Sequence, residues 1–408
     1  MPQREFALTR AEISVLLPTY NRDRFVAESL ESVFAQTLPP SQVIVINDGS
    51  TDHTAAALEP FGERIVYLES ENRGKPSALN LGMAQVTGEY VWIMDDDDVA
   101  MSDALERHIA ILESRPEVGW TYSSYVESTT NPEDLRIAPQ REKTLPNFPD
   151  EEFLVRLMEQ CFLIHPTTLV RASCYREVGP FDPALVRCQD YEMAVRLARR
   201  FPCARVAGPT IYYRIHGGAR GSGRDTFKAG QIQEKWLEYM QVFIRELRKE
   251  MPLSEYLPGG QAPDGKTSNL RYAYLRRMGI MARKRLYDEM IEDLRLAAQE
   301  NSTDFSTLAP TERDLLHELY NSVNDPLFFQ TDLLRRMRSA CRGSVGSAIR
   351  GELIRCLYWD TLNTLRKGTL SQVFSNASAA MQLSGIGVLR SFLHDWKSQG
   401  RTRGPMFL

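Results

Sequence analysis

The sequence lacks several features that would place it in common protein classes. Its six cysteines include no C-x-x-C pair, so a zinc site is not expected. No signal-peptide pattern opens the chain, and no apolar run approaches the roughly 18–20 residues needed to cross a bilayer. These absences predict a cytoplasmic protein with reduced thiols, at most peripheral to the inner face of a membrane.

Signatures of other nucleotide-using enzymes are also missing. There is no G-x-x-x-x-G-K-[S/T] phosphate loop, which leaves ordinary kinase or ATPase chemistry without support. No G-x-G-x-x-G follows the first predicted strand, which disfavours dinucleotide redox chemistry. The net charge of −4 argues against a general nucleic-acid binder, so no nucleic-acid partner is expected.

The pattern of the chain changes near residue 224. Residues 1–224 alternate short apolar strands with helical segments, which predicts an α/β fold with a mostly parallel sheet and helices on both faces. Strands are predicted at residues 13–17, 43–46, 65–68 and 90–94. Residues 129–150 are rich in Pro, Asn and charge, which predicts a loop or an excursion of the chain.

Residues 225–408 are predicted to form an α-helical region, with helices at 228–251, 268–299, 311–323, 351–366 and 370–396. Apolar residues between 373 and 396 recur near helical spacing. Burial against the rest of the protein and docking on a membrane surface both account for that pattern. The region could equally shape an acceptor site or form a homodimer.

The sharpest local signal is Asp95-Asp96-Asp97-Asp98, directly after the predicted strand at 90–94. Adjacent carboxylates repel one another unless a cation is present, and ligands bind beyond the carboxyl ends of parallel strands. Oxygen ligands suit Mg²⁺ or Mn²⁺. The alternative is a solvated acidic turn that caps the next helix.

Several motifs then occur in a fixed order: Pro18-Thr19-Tyr20-Asn21, Asn47-Asp48-Gly49-Ser50-Thr51-Asp52, Asn72-Arg73-Gly74 to Gly82, and Gly88-Glu89-Tyr90 to Asp98. Together they resemble the family-2 glycosyltransferases, inverting enzymes of the GT-A fold. Asn47 departs from the usual first Asp of its motif. The resemblance covers about the first 220 residues and says little about the helical half.

The resemblance implies a nucleotide-diphosphate sugar as donor, with a UDP-sugar favoured. It assigns the donor to Pro18, Thr19, Tyr20, Asn21, Asp48, Lys75, Asn80, Asp95, Asp96 and Arg214. Asp48 would accept a hydrogen bond from the base N–H, although an Asx-turn role is the alternative. Lys75 would contact phosphate or base, or else be an exposed surface lysine. Asn80 is expected to fix the neighbouring loop.

The same resemblance implies a bound Mn²⁺ or Mg²⁺. Asp97 is the expected direct ligand, with Asp95 beside it and Asp98 as a helix cap. In Tyr213-Arg214-Ile215-His216, the histidine would complete the metal shell or bind the diphosphate, and Arg214 would add charge. The glycines at 217–223 would let this loop close over the donor. An incidental loop histidine is the alternative.

Gln189-Asp190-Tyr191-Glu192 opens a helical stretch where the family places its general base, so Asp190 is the candidate for deprotonating an acceptor hydroxyl. Its alternative role is a helix cap. The resulting hypothesis is a metal-dependent, inverting, non-processive transferase acting on a glycan or lipid-linked glycan. The competing hypotheses are a non-catalytic nucleotide-sugar-binding or scaffold protein and a sugar-nucleotide pyrophosphorylase.

Overall fold

A computed structural model describes residues 11–216, 232–263, 268–300, 308–322, 330–366, 376 and 378–383. The chain divides into two compact units, Met1–Ile244 and Arg245–Leu408. The boundary expected at residues 224 and 225 lies outside the described residues, so that exact position stays a prediction.

The first unit is built around one mixed sheet. Its strands are β1 Ile13–Thr19, β2 Gln42–Asn47, β3 Val66–Glu69, β4 Tyr90–Ile93, β5 Val99–Ala100, β6 Trp120–Thr130, β7 Ile137–Lys143, β8 Thr168–Arg171 and β9 Cys203–Arg214. They follow the order β3-β2-β1-β4-β8-β6-β9-β5, with β7 paired to β6. Strands β3, β2, β1 and β4 run parallel, while β8 is antiparallel to both β4 and β6. The predicted α/β class, with the mixed sheet of a GT-A domain, is confirmed.

Helices cover this sheet: α1 Val26–Phe34, α2 Thr54–Leu58, α3 Lys75–Met83, α4 Ala104–Ser114, α5 Asp150–Glu159, α6 Ala172–Val178 and α7 Gln189–Ala198. Strands β1 and β4 are buried at every residue, as their apolar sequences require when both faces are covered. The long helix α8, Ile232–Glu250, follows the sheet in the chain.

Two expectations about this unit are wrong. Strand β3 is not buried on both faces: Val66 and Tyr67 are 40% and 39% exposed, because β3 lies at the edge of the sheet. Residues 129–150 are not simply a loop, since β7 lies within them. The side chains of β7 are mostly exposed, and pairing with β6 rather than an apolar pattern holds the strand in place.

The parallel arrangement brings three strand ends together. Thr19 at the end of β1 is paired in register with Asn47 at the end of β2, and β4 runs on the other side of β1. Helix α3 packs so closely on these strands that a Cβ added at Gly82 would lie only 2.8 Å from the Ile46 side chain. The loops after β1, β2 and β4 and the start of α3 therefore meet at one edge of the sheet.

The second unit is helical, as predicted, with α9 Asn269–Arg283, α10 Tyr287–Gln299, α11 Pro310–Ser322, α12 Thr331–Ala340 and α13 Gly343–Arg366. The single helix expected at 268–299 is two helices, because the backbone at Arg285 turns to a positive φ of 56°. Helix α12 was not predicted. Within residues 373–396, which contain the predicted apolar set, the structure describes only residues 376 and 378–383.

Buried ion pairs cross the second unit. Arg271 on α9 donates to Glu312 on α11 at 2.8 Å, and both side chains are fully buried. Arg248 and Arg277 both reach the buried carboxylate of Asp293. Among the described residues, no helix combines the length and apolar character that a membrane span requires.

We expect Glu312→Gln to destabilise this unit strongly. The change leaves the Arg271 guanidinium buried without a countercharge, which lowers the free energy of unfolding by about 3–5 kcal/mol. Hydrogen exchange of the α9 and α11 peptides measures the loss within the unit. Glu246→Gln is the control, because Glu246 pairs with Lys249 at an exposed position; equal protection in both variants would contradict the prediction.

Candidate active site

A cleft of about 890 Å³, open to solvent, lies at the carboxyl ends of β1, β2 and β4. Its lining residues are Pro18, Thr19, Tyr20, Arg22, Asp48, Lys75, Ala78, Asp95, Asp96, Asp97, Val186, Arg187, Tyr213 and Arg214. The structure thus brings together most of the residues expected to bind a nucleotide sugar.

Three carboxylates form a compact cluster at this cleft; Asp95 and Asp97 line it, while Asp98 lies buried beside them. Oxygens of Asp95, Asp97 and Asp98 all lie within 4.8 Å of one another. Asp98 is fully buried: its Oδ1 accepts a hydrogen bond from the Arg214 N–H at 2.8 Å, while its Oδ2 has no hydrogen-bond partner among the described residues. Burial and the neighbouring charges of Asp97 and Asp95 raise the pKa of Asp98 well above its usual value.

This cluster fits a divalent cation. Clustered carboxylate oxygens are the ligands that Mg²⁺ and Mn²⁺ prefer, and a buried oxygen without a partner is a position that a cation would satisfy. His216 is within reach, with its Nε2 2.9 Å from Asp97 Oδ2. The expectation that Asp98 caps a helix is wrong, because Asp98 leads into β5 and α4 begins later, at Ala104.

Asp96 points to the loop after β1 instead. Its Oδ2 accepts a hydrogen bond from the Tyr20 N–H at 3.2 Å. Burial raises the pKa of Asp96 to about 7, although the nearby Arg22 opposes the shift. Arg22 is a site residue that the sequence reasoning missed. The only sequence signal for it was its position directly after Pro18-Thr19-Tyr20-Asn21.

The loops after β1 and β2 are joined by Asn21. Its backbone has a positive φ of 51°, its N–H donates to Ser50 Oγ at 3.0 Å, and its Oδ1 accepts from the Thr51 N–H at 2.7 Å. These bonds occupy the Asn21 side chain, so the structure gives it a role in shaping the pocket. Its contact with a donor stays a prediction.

Asp48 is buried and organises the loop after β3. Its carboxylate accepts hydrogen bonds from the N–H groups of Arg73 at 3.0 Å and Gly74 at 2.8 Å, and from Ser70 Oγ at 3.3 Å. Burial raises its pKa, and these three bonds oppose the rise. The local turn contact belongs to Asn47 instead, whose Oδ1 accepts from the Ser50 N–H at 3.0 Å.

Asn80 fixes the loop before α7, as expected. Its Nδ2 donates to the Phe181 carbonyl at 2.8 Å and its Oδ1 accepts from the Phe181 N–H at 2.9 Å. Both polar atoms of the side chain are therefore engaged with one residue across the site. A direct contact between Asn80 and a donor stays a prediction.

Asp190 is the second residue of α7 and is partly buried; it does not line the cleft itself but a separate small pocket that His165 also lines. Burial raises its pKa, and the charge of Lys75 opposes the rise. Lys75 begins α3, forms an ion pair with Asp95 and also interacts electrostatically with Asp190 and Asp96. Lys75 is therefore not an exposed surface lysine, because its ammonium group pairs with Asp95 and only 29% of its side chain is exposed.

Arg214 is buried and donates hydrogen bonds to the last two residues of the aspartate run, Asp97 and Asp98. Its Nε donates to the Asp97 carbonyl at 2.7 Å, its Nη2 pairs with Glu28, and its guanidinium lies 4.7 Å from the centre of the Phe25 ring. These contacts hold the backbone of residues 97 and 98. Although Arg214 lines the cleft, a direct bond to a donor stays a prediction.

Comparison with known proteins shows which families and proteins this chain is similar to. Residues 14–179 match the family model described as glycosyl transferase family 2. This segment of the chain is therefore similar to glycosyltransferase family 2. It is 28% identical over 253 residues to an uncharacterized glycosyltransferase of Rickettsia felis, covering 60% of this chain and 41% of that protein. It is 29% identical over 219 residues to one of Haemophilus influenzae, covering 52% of this chain and 67% of the relative.

The chain therefore spans 41% of the length of the Rickettsia felis relative. Among solved structures, it is similar to Staphylococcus aureus TarS 1–349 in complex with UDP-GlcNAc, with 16% identity, a TM-score of 0.45 and coverage of 88% and 92% of the two chains. It is also similar to the mannosyltransferase PcManGT of Pyrobaculum calidifontis in complex with GDP-Man and Mn²⁺, with 18% identity, a TM-score of 0.45 and coverage of 92% and 88%.

We expect Asp98→Asn to stabilise the metal-free protein and to weaken its binding of divalent cations. The amide removes a buried negative charge while keeping an acceptor for the Arg214 N–H. Melting temperature in chelator should rise by about 2–8 °C, as removal of roughly 1–3 kcal/mol of repulsion predicts. Mn²⁺ should then raise the melting temperature of the wild type but not of the variant.

Asp103→Asn serves as the control, because Asp103 is a half-exposed carboxylate of the same loop region that pairs with Arg107. It should behave as the wild type in chelator and in Mn²⁺. An equal Mn²⁺ shift in Asp98→Asn would remove Asp98 from the cation site.

Proposed function

We propose that this protein transfers a sugar from a nucleotide-diphosphate sugar to a hydroxyl group of a glycan or lipid-linked glycan, with inversion and one transfer at a time. A UDP-sugar is the favoured donor. The observation that carries the proposal is the placement of Lys75, which pairs with Asp95 of the cation-competent cluster and also interacts with Asp190. Lys75 thus links the group proposed to activate the donor with the residue proposed as the base.

The nucleobase end of the donor is assigned to Tyr20 and Asp48. A carboxylate has about four acceptor directions, and loop bonds use three of those on Asp48. The remaining direction is available to a base N–H, as in uracil. Pro18 and Thr19 complete this end of the cleft.

The diphosphate is assigned to the cationic part of the cleft, next to the cluster. Asp95, Asp97 and Asp98, with His216, would hold Mn²⁺ or Mg²⁺, which would neutralise charge on the leaving diphosphate. Lys75 lies against Asp95 and adds a positive charge of the protein itself. Arg187 lines the same cleft from the segment before α7.

Asp190 is assigned as the base. The acceptor hydroxyl gives its proton to an Asp190 oxygen as that hydroxyl oxygen bonds to the anomeric carbon and the bond to the nucleoside diphosphate breaks on the opposite face. A single displacement of this kind inverts the carbon. The Lys75 charge favours the ionised carboxylate that this step requires, against the effect of burial.

Asp190→Asn should leave donor binding nearly intact and lower kcat by about 10²–10⁴-fold, because the amide keeps the shape but cannot accept the proton. Turnover of a panel of UDP- and GDP-sugars, together with melting temperature, provides the measurement. Asp150→Asn is the matched control, since Asp150 is an exposed carboxylate in the first turn of α5.

If Asp190 only supported its helix, both variants would lose stability and keep their turnover, which would refute the assignment. Product analysis gives a second check, because retention at the anomeric carbon contradicts a single displacement.

Asp48→Asn should raise the donor KM by roughly tenfold or more, since a hydrogen bond to a charged group contributes about 1.5–3 kcal/mol. Ser70→Ala is the control: it loosens the same loop by removing the hydroxyl that donates to Asp48 but keeps the carboxylate. An equal rise in KM for both variants would show that Asp48 acts on the donor only through its loop.

A further inference from the structure

Arg22 is placed against the carboxylates of the cleft rather than against solvent. Its Nε lies 3.5 Å from Asp96 Oδ1 and 3.6 Å from Asp97 Oδ2, and its side chain is 20% exposed. The backbone N–H of Arg22 donates to Thr54 Oγ1 at 2.8 Å, and its Nη1 donates to the Asn21 carbonyl at 3.1 Å. The residue is therefore held at the edge of the cluster by its own backbone.

This placement conflicts with a cation on the same carboxylate. Asp97 belongs to the group of three whose oxygens converge within 4.8 Å, and the oxygen near Arg22 is the one that His216 also contacts. A guanidinium beside that oxygen lowers the attraction of the cluster for a second positive ion. Arg22 and a divalent cation therefore compete for Asp97.

The Nε of Arg22 makes ion pairs with the carboxylates but no hydrogen bond to them. At 3.5 and 3.6 Å its Nε makes ion pairs, but this atom is buried without a hydrogen-bond partner in the described structure. A phosphate is a stronger partner, because a guanidinium binds its oxygens through two parallel hydrogen bonds. Arg22 lines the cleft beside Lys75, where the diphosphate is assigned.

We propose that Arg22 couples the binding of metal and donor: it neutralises Asp96 and Asp97 when the cleft holds no donor, and moves to the diphosphate when one binds. The inference rests on the proposed function, because it requires the diphosphate and the cation in this cleft. Release of Asp97 strengthens cation binding, and by thermodynamic reciprocity the cation strengthens diphosphate binding by the same factor.

The test measures the Kd of Mn²⁺ by the electron paramagnetic resonance signal of the free ion, without nucleotide and with saturating UDP or GDP, corrected for Mn²⁺ bound to nucleotide in solution. We expect the wild type to bind Mn²⁺ about 10-fold or more tightly when nucleotide is present. Arg22→Gln should bind Mn²⁺ alone about 3–10-fold more tightly than the wild type, and nucleotide should add correspondingly less.

Two further variants serve as controls for the role of the Arg22 charge. Arg22→Lys keeps the charge and should retain the weak binding of Mn²⁺ alone. Arg24→Gln removes an exposed charge from the same loop and should match the wild type in both conditions. Melting temperatures confirm that each variant is folded.

Equal tightening by Arg22→Gln with and without nucleotide, or no tightening, would overturn the coupling while leaving the proposed function intact. If the wild type binds neither Mn²⁺ nor nucleotide, the donor and metal assignments fail, and this inference fails with them. Coupling that is present in the wild type and reduced only in Arg22→Gln supports it.

Discussion

Four consecutive carboxylates at the end of β4 impose a repulsion that the surrounding structure has to offset. Asp98 is completely buried, and the other three are only partly exposed. The protein places a positive side chain or a hydrogen-bond donor against each: Lys75 at Asp95, Arg22 at Asp96 and Asp97, and the Arg214 N–H at Asp98. The cleft therefore contains both the acidic side chains and the positive side chains that pair with them.

The same constraint explains why distant segments converge there. Arg214, at the end of β9, holds the backbone of the run, while Asn80 on α3 fixes the loop that leads into α7. Lys75 belongs to that same α3, so one helix both balances the charge of Asp95 and holds the loop that precedes α7. The carboxylate cluster and the segment that leads to Asp190 are thus connected through one short helix and its contacts.

The match to the family model ends at residue 179, before several of the residues that complete the cleft. Arg187 and Arg214 line the cleft beyond that residue, and Asp190 on α7 and His216, two residues after β9, also lie beyond it. Their assignment depends on local motifs and on the sheet, which returns β9 beside β6 and β5. The helical second unit is stabilised separately by its own buried ion pairs.

The sequence by itself determined the α/β class, the helical second region and the position of the acidic run, because hydrophobic periodicity and the order of motifs are local properties. It could not reveal β7 or the exposure of β3, which depend on which strand lies beside them. Only the tertiary structure decided that Arg22 contacts the cluster, that Asp98 is buried within it and that Asn80 binds Phe181. Those contacts join residues far apart in the chain, and their energies arise from burial and proximity, which no local pattern encodes.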